Sequence, residues 1–319
     1  MGDLAGGAFL PLSEAVKHFN DEIAAGVADT VVTVAPFYEM IPFIPVRGQA
    51  LVVNQDTTTG MVGFGDENDD IQNSTTISKP MSVTSRTFTM KSLIGQANVD
   101  NFLQATSASA GVDTMALQIA AKSRNIARKA YEQVAKGSTA GDTAGFDGLP
   151  ELRQQSANSG TAFDLSTVAN TFSAFDAAMN LVTSKNGQID FIMCSRNVID
   201  KYKAAVRATG SGFDYFTTPI TNRNILAYEG VPVLRNDYLA GFDEQGGVSN
   251  TQEAIYAGCF ESGGNDGLAM IYPEGTPAGI DVRLLGESHI YNSQVGRVSM
   301  YTALASYNDK GLAVAYATV

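Results

Sequence analysis

Cysteine and histidine are scarce in this 319-residue chain, which contains two of each. Two cysteines are too few for a disulfide framework, and both Cys194 and Cys259 lie in strand-like apolar stretches. We expect two buried thiols, and a disulfide between them stays open. The sequence also lacks a Walker A motif, a Rossmann glycine triad, zinc-ligand spacing and a Gly-x-Ser-x-Gly elbow. These absences argue against the common classes of enzyme, and we expect no cofactor.

One catalytic arrangement stays open as a less favoured alternative. His289 could meet Cys259 and Asn292 as a thiol–imidazole–amide set. The other histidine, His18, is expected on the polar face of a short helix. The segment Gly263–Gly267 resembles a phosphate-binding loop only in its glycine content, because no helix with a lysine follows it. We therefore expect that the protein is not an enzyme.

Charged residues are also few, at 17% of the chain against about 25% in an average soluble domain. A surface this poor in charge is typical of one that neighbouring molecules cover. The formal net charge of −12 argues against general nucleic-acid binding, which needs a basic face. No uninterrupted apolar span of about 20 residues occurs, so the sequence indicates neither a membrane helix nor a secretion signal.

One long amphipathic helix is predicted from Gly111 to Lys136, where Gly137 can end it. At 1.5 Å per residue, this helix would be a rod of roughly 35–40 Å. Its apolar stripe is narrow, which suits a helix that lies across a sheet with its back to solvent or another subunit. The stripe consists of Val112, Met115, Ile119, Ile126, Ala130 and Val134.

Two segments before this helix cannot form a core of their own. Residues 31–46 combine a short strand with three prolines, which favours an extended arm whose aromatic side chains need a partner surface. Residues 47–90 contain two predicted strands, Leu51–Val53 and Ser82–Met90, joined by a polar stretch. A two-stranded ribbon of this kind is unstable alone in water, so we expect it to lie on another surface.

An acidic cluster, Asp66–Asp70, lies in the polar stretch of this ribbon. Its weak candidates for metal ligands are Asp66, Asp69 and Asp70. The cluster lacks the Asp-x-Asp-x-Asp-Gly spacing and the later glutamate of a calcium loop. We expect no metal, and a solvated or inter-subunit charge patch is the favoured interpretation.

The rest of the sequence alternates helices with strands and then becomes almost entirely β. Helices are predicted at Phe172–Val182 and Asn197–Ala208, and a helical piece is expected earlier, around Asn98–Thr106. A turn is expected at Glu229-Gly230. The predicted strands are Ile189–Cys194, Ile225–Tyr228, Val231–Leu234, Ala254–Gly258, Leu268–Tyr272, Ile280–Leu285, Val298–Tyr307 and Leu312–Thr318.

This order of elements resembles the major capsid proteins of tailed bacteriophages, which share the Hong Kong 97-type fold. Phe146-Asp147-Gly148-Leu149 is similar to the F-x-G-L that often follows the long spine helix in that family. Tyr228–Val233 is similar to the family's L-x-G-x-P-V turn. Ala254–Phe260 is similar to its a-i-x-G-D-F strand, with Cys259 where an aspartate is common. The resemblance covers almost the whole chain.

The resemblance implies an α+β, Hong Kong 97-type capsid fold in five segments. These are an N-terminal arm (1–46), a long β-ribbon or E-loop (47–90), a peripheral domain with the spine helix 111–136 (91–160), an apical α/β domain (161–274), and C-terminal strands that return to the peripheral and apical domains (275–319). The arm and the ribbon would contact neighbouring subunits. The candidates for inter-subunit contact are Phe37, Tyr38, Phe43, Ile44, Phe64, Ile71, Lys79 and Arg86.

The implied function is structural. Hexamers and pentamers of the chain would form an icosahedral shell that encloses the double-stranded DNA genome of a tailed phage, without sequence-specific binding. The protein would assemble in the host cytoplasm and reside in the virion, with no membrane partner. An acidic wall would avoid trapping the packaged genome. The alternative with the same fold is an encapsulin-type nanocompartment shell protein.

Other partners follow from the same resemblance. A portal is expected, and a decoration protein stays open. No long charged helical segment precedes the arm, so we expect a separate scaffolding protein rather than a scaffolding domain removed by a protease. Some relatives cross-link a ribbon lysine to an asparagine of a neighbour. Lys79 is the only lysine between Arg47 and Met90, but no matching acid and asparagine arrangement is visible, so we do not expect a cross-link.

Overall fold

The structure is a computed structural model that describes residues 36–58, 82–109, 113–154, 159–218, 222, 224–240, 252–276 and 280–318. The chain divides into two compact units. The spine unit comprises the described residues of 91–132 and 275–302, and the sheet unit comprises the described residues of 36–90, 133–274 and 303–318. These units are coarser than the five segments expected from the sequence, and that finer division stays a prediction.

The elements lie in an α+β order along the chain. The helices are α1 (Phe37–Met40), α2 (Asn101–Ser109), α3 (Thr114–Lys136), α4 (Leu149–Gln154), α5 (Val168–Asn180) and α6 (Arg196–Thr209). The strands are β1 (Phe43–Val46), β2 (Ala50–Thr58), β3 (Ser82–Thr89), β4 (Lys91–Asp100), β5 (Ser159–Asp164), β6 (Phe191–Cys194), β7 (Asp214–Thr217), β8 (Asn224–Tyr228), β9 (Val231–Arg235), β10 (Gln252–Gly258), β11 (Leu268–Pro273), β12 (Ile280–Glu287), β13 (Ser293–Ser306) and β14 (Leu312–Thr318).

In the spine unit, β4 and β12 pair antiparallel with the two sides of β13, and α3 packs on one face of these strands. Two glycines let the helix approach the strands closely. A Cβ atom built on Gly296 would lie 3.2 Å from Ile119, and one built on Gly95 would lie 3.4 Å from Ile126. Met115 and Ile126 are buried, as the apolar stripe predicted. Val112 of that stripe lies outside the described residues.

Helix α3 begins at Thr114 rather than Gly111 because Asp113 caps it. The Asp113 carboxylate accepts a hydrogen bond from the Ala116 amide at 3.1 Å and another from the Gln104 side chain at 3.0 Å. These bonds, that from Gln104 first, lower the pKa of Asp113. The Gln104 side chain also accepts the Met115 amide at 3.2 Å, so it ties α2 to the start of α3.

The helical piece expected at Asn98–Thr106 is wrong at its start. Asn98 and Asp100 belong to β4, where they pair with Val295 and Ser293 of β13. The helix begins only at Asn101, after the Asp100 carboxylate accepts the Phe102 amide at 2.7 Å. Pairing with a distant strand therefore extends β4 up to the cap of α2.

The sheet unit is built on a seven-stranded mixed sheet of order β5-β14-β10-β6-β9-β8-β7. Helices α5 and α6 pack on it and bury Phe175 and Val198 against strand residues such as Ile255 and Ala315. Local signals explain both helices. Thr167 and Ser195 cap their N-termini with side-chain oxygens, and Gly210 ends α6 in the left-handed conformation (φ +69°).

Two of the motifs that carried the resemblance have direct physical explanations. In the F-x-G-L motif, the Gly148 amide donates a hydrogen bond to the Gly137 carbonyl at 2.9 Å, and a Cβ atom on Gly148 would collide with the carbonyls of Gln133 and Val134 at the end of α3. In the L-x-G-x-P-V motif, Glu229 (φ +49°) and Gly230 (φ +79°) form the two-residue turn between β8 and β9, as expected.

Candidate functional site

The ribbon expected from the sequence is present as the antiparallel pair β2–β3 in the sheet unit. Its register places Val53 and Phe88 on one face, and both are buried, at 6% and 5% exposure. Val52 and Val83 lie on the opposite face and are 61% and 49% exposed. The described part of the ribbon therefore packs one side on its own subunit and leaves apolar side chains uncovered on the other.

Two polar contacts fix the ribbon to the turn between β13 and β14. The Gln55 side-chain amide donates to the Ser306 carbonyl at 2.8 Å, and Arg86 Nη2 lies 2.7 Å from Asp309 Oδ2. Burial raises the pKa of Asp309, although the guanidinium of Arg86 acts in the opposite direction. Arg86, expected to contact another subunit, therefore forms an ion pair inside its own.

The proline-rich segment at 36–46 is also integrated into the sheet unit. Phe37 is fully buried, with its ring centroid 5.7 Å from that of Phe191 and 5.9 Å from that of Phe260. No part of this ring is accessible to a neighbouring subunit. Phe37 therefore belongs to the core of its own subunit and does not form the expected inter-subunit contact. Phe43 and Ile44 lie in β1, which pairs in parallel with β11, and they are half-buried like Tyr38.

The spine unit exposes apolar side chains at two places. On β12, the edge strand of its sheet, Val282 and Leu284 share the face that carries α3 but are 46% and 71% exposed. Near the β12–β13 turn, Phe102, Ile290 and Tyr291 are exposed, and Asn101 hydrogen-bonds Asn292 through both backbone and side chain. Exposed apolar groups of this size are typical of surfaces that a partner covers. Sequence periodicity did not identify either place.

The remaining sequence candidates give no site among the described residues. Phe64, Ile71 and Lys79, and the weak metal candidates Asp66, Asp69 and Asp70, lie outside the described part. Within the described ranges, no three His, Cys, Asp or Glu side chains gather in a way that could hold a metal ion. In the same ranges, no helix combines the length and the apolar character needed to span a membrane.

The two cysteines are free and buried, which confirms the expected thiols. Burial raises the pKa of both Cys194 and Cys259. The Cys259 thiol donates to the Asp266 carbonyl at 3.2 Å, whereas His289 is exposed in a turn. A reactive cysteine needs a lowered pKa and access, so Cys259 lacks the properties of a nucleophile. The arrangement of Cys259, His289 and Asn292 is therefore not supported as a catalytic site.

The glycine-rich loop at 261–267 is a tight turn that wraps around the carboxylate of Glu261. The Glu261 carboxylate accepts four backbone amides, from Gly263, Asn265, Asp266 and Gly267, at 2.7 to 3.3 Å. The convergent donors of such a nest bind an anion, and here the protein supplies it. The sequence shows the glycines but not that this side chain turns back onto them.

A second buried carboxylate, Glu253 on β10, also escaped prediction. It accepts hydrogen bonds from the Ser195 hydroxyl and, at 2.7 Å, from the Asn197 side chain. Both donors lie at the N-terminus of α6, where the helix dipole stabilises a negative charge. Glu253 therefore anchors the start of α6 to the sheet.

A cavity of about 410 Å³ lies beside the glycine-rich loop in the sheet unit. Its polar groups bind one another. Lys185 Nζ donates to the Phe260 carbonyl at 2.5 Å and lies 3.5 Å from Asp190, which in turn accepts the Phe260 amide at 2.8 Å. These contacts connect the start of β6 to the end of β10, which is a structural role.

No family model and no curated protein sequence matches this chain. Solved structures do match it. The holo-SrpI encapsulin complex from Synechococcus elongatus superposes with a TM-score of 0.64 at 15% identity, covering 90% of this chain and 88% of that chain. The capsid of the native GTA particle superposes with a TM-score of 0.61 at 13% identity, covering 94% of this chain and 100% of that chain. The capsid of the cyanophage P-SCSP1u superposes with a TM-score of 0.58 at 9% identity, covering 94% of this chain and 93% of that chain.

At sequence identities this low, the superpositions establish the fold alone. Their coverage shows that the structural similarity extends over nearly the whole chain. The protein has the α+β, Hong Kong 97-type capsid fold that the order of its elements indicated.

Proposed function

We propose that this chain is the major capsid protein of a tailed bacteriophage and self-assembles into an icosahedral shell around double-stranded DNA. One observation carries the proposal. The chain superposes over 94% of its length on the capsids of the GTA particle and the cyanophage, and covers 100% and 93% of those chains. A fold shared end to end with shell-forming chains leaves little of this chain to support a different architecture.

The surfaces of the subunit support assembly. Val52 on the outer face of the ribbon, Leu284 on the edge strand β12, and Ile290 in the β12–β13 turn are 61%, 71% and 82% exposed. Each exposed apolar side chain costs free energy in water, at about 25 cal/mol per Å². Contact with other copies would remove this cost at several separate places, which suits a shell held by many modest interfaces.

The expected contact residues are proposed here with one change. Tyr38, Phe43 and Ile44, which are half-buried, keep their proposed role in contacts between subunits, as do Phe64, Ile71 and Lys79. Phe37 is excluded by its full burial. Arg86 is proposed to orient the ribbon through Asp309 rather than to contact a neighbour directly.

The biological setting is part of the same proposal. The shell would form in the host cytoplasm from hexamers and pentamers, with a separate scaffolding protein and a portal, and would persist in the virion. The function would be structural rather than enzymatic, which agrees with the burial and raised pKa of Cys259.

An encapsulin-type nanocompartment is the second candidate function. The superposition on the encapsulin from Synechococcus elongatus, with a TM-score of 0.64 over 90% of this chain, favours it directly. Such a shell would be small and filled with a cargo protein, whereas a phage shell would be large and filled with DNA.

Electron microscopy of the purified full-length protein and of its particles from cells tests both candidates. Large icosahedral shells that contain double-stranded DNA support the capsid function, and small shells with a protein cargo support the nanocompartment. A protein that stays monomeric at all concentrations contradicts both.

Substitutions sharpen the test. Leu284→Asp places a charge on an exposed apolar site, so we expect a folded subunit that does not close shells. Ser173→Asp, at an exposed polar position on α5, adds the same charge and should leave assembly intact. Normal shells from the Leu284 variant would show that β12 is not an assembly surface.

A further inference from the structure

Strand β12 presents an unpaired edge. Among the described strands, β12 pairs with β13 alone, so no described strand lies beside the backbone N–H and C=O groups that point away from β13. An exposed edge of this kind is a ready template for a strand of another molecule. The backbone of β12 is therefore prepared to accept one more strand.

Exposed apolar side chains follow the same strand. Val282 and Leu284, on the face that carries α3, are 46% and 71% exposed, and the next residue, Leu285, is 50% exposed. Edge strands that stay in water usually carry charged residues or proline along their length. Apolar residues at three of four successive positions are instead typical of a strand that lies inside a larger sheet.

Charge on the face of β12 opposite α3 is unbalanced. The Arg283 Nε group donates to Asp281 Oδ2 at 2.7 Å, and the Arg283 side chain is 64% exposed. Arg283 also lies directly opposite Arg297 of β13, and like charges at such positions repel each other. A second carboxylate beside Arg283 would therefore stabilise this face.

Antiparallel pairing of β12 with its own copy supplies that carboxylate. With the two-fold axis at Val282, Asp281 of each copy lies directly opposite Arg283 of the other, which gives two pairs of opposite charge. Among the strands that the described part of the chain places at a sheet edge, only β12 has an acidic and a basic residue two positions apart. The ribbon strand β3, for example, has no acidic residue, and its Arg86 is bound to Asp309.

We propose that β12 pairs antiparallel with β12 of a second copy around a two-fold axis at Val282, so that β4, β13 and β12 of both copies form one continuous sheet. The inference rests on the proposed function and names the partner and the register of one contact between subunits. The five residues centred on Val282 extend over roughly 17 Å. A single strand contact of this length is smaller than a standard interface of about 1,600 Å², so it is weak alone and adds to the other contacts of a shell.

The test is disulfide cross-linking of the full-length protein under mild oxidation, read on a non-reducing gel. Val282→Cys should form dimers, because directly opposite residues have Cβ atoms about 4.5–5.5 Å apart. Leu284→Cys is the matched control. It is more exposed, but in this register it lies about 14 Å along the strand from its own copy, so it should give about tenfold less dimer. The native Cys194 and Cys259 are fully buried.

A mixing experiment separates the contact between copies from the ion pair within one chain. In a Val282→Cys background, Asp281→Lys and Arg283→Glu each place like charges opposite each other between identical copies, so the dimer yield should fall about tenfold. When the two variants are mixed, both pairs between unlike copies are complementary again, while the pair within each chain stays broken. With a size tag on one variant, the heterodimer should return to within about twofold of the original yield.

Equal yields from Val282→Cys and Leu284→Cys, or no recovery on mixing, would overturn the inference. Cross-linking of Val282→Cys to Val83→Cys of a separate chain, and not to itself, would overturn it as well, by assigning the edge to the ribbon of another copy. Without the added cysteine, the yield of shells from the charge variants and from their mixture should show the same loss and recovery.

Electron microscopy of the same preparations separates this inference from the proposed function. Normal shells in which Val282→Cys forms no dimers overturn only the inference. Dimers that are specific to Val282→Cys, in a protein that forms no shells, overturn only the capsid function.

Discussion

Replacement of Phe37 by alanine gives the sharpest test of how the proline-rich segment is used. The ring is fully buried and packs edge-on against Phe191 and tilted against Phe260. A buried phenylalanine removes about 150–250 Å² from water. At about 25 cal/mol per Å², that burial contributes about 4–6 kcal/mol as an upper bound. Phe→Ala substitutions in cores cost about 3–5 kcal/mol, so we expect a loss in that range for Phe37→Ala.

The assay is urea unfolding of the unassembled full-length protein, followed by far-ultraviolet circular dichroism because the chain has no tryptophan. Phe102→Ala is the matched control, since that ring is 70% exposed and its removal should change the free energy of unfolding by about 0.5 kcal/mol or less. Phe37→Leu should lie between the control and the alanine variant.

A loss below about 1 kcal/mol for Phe37→Ala would refute the reasoning, because it would mean that the ring is not part of the subunit's core. If that small loss came with failure to form shells, the partner of Phe37 would be another subunit, as the sequence had suggested.

Three further predictions concern charged groups and thiols. The raised pKa of Asp309 means that the folded protein holds this proton more tightly than the unfolded chain, so the stability it contributes is lost as pH rises from about 3.8 through the raised pKa. In urea unfolding, Arg86→Gln should deepen this loss because the guanidinium lowers the pKa, and Asp309→Asn should remove it. Identical pH profiles for these variants would contradict the ion pair. Glu261→Gln should lower the free energy of unfolding by about 2–3 kcal/mol, because a glutamine side chain cannot accept hydrogen bonds from all four backbone N–H groups of the loop. As the control, Glu274→Gln breaks an exposed ion pair with Arg47 and should cost about 1 kcal/mol or less. Equal losses in the two variants would count against the loop geometry. Cys194 and Cys259 should react slowly with a thiol reagent at pH 8 in the native protein, because burial raises the pKa of both thiols. After unfolding, both thiols should react. A rapid reaction in the native protein would show that the thiols are accessible.

Features set by local sequence were predicted well. The stripe of α3, the turn at Glu229-Gly230 and the bounds of β14 at Leu312–Thr318 agree with the structure. Helix periodicity, a left-handed turn and a run of apolar residues are all encoded within a few neighbouring positions. The order of such elements was enough to indicate the fold.

Features set by distant pairing were predicted poorly. Strand β13 begins at Ser293 rather than Val298, because its first residues pair with β4 nearly 200 positions earlier. Strand β5 (Ser159–Asp164) was not predicted, because its own sequence has no strand pattern and its parallel pairing with β14 determines its structure. In both cases the partner strand decides the structure.

The candidate site shows the same limit. Aromatic residues in the proline-rich segment correctly indicated that it needs a partner, but for Phe37 the partner is the subunit itself. The type of a residue shows that its side chain needs to be buried, but it does not show which surface buries it. Glu253 was invisible for a similar reason, because its donor Ser195 lies 58 positions away.

The place of Phe37 has a consequence for synthesis on the ribosome. Its ring rests on Phe260, and β1 pairs with β11 at Phe43 and Met270, so these partners are translated more than 200 residues later. At about 5–20 residues per second, roughly 10 to 45 seconds separate the emergence of the two rings. The segment around Phe37 therefore docks late in the biogenesis of each copy. A nascent chain cannot complete its core until most of the chain, through β11, has been translated.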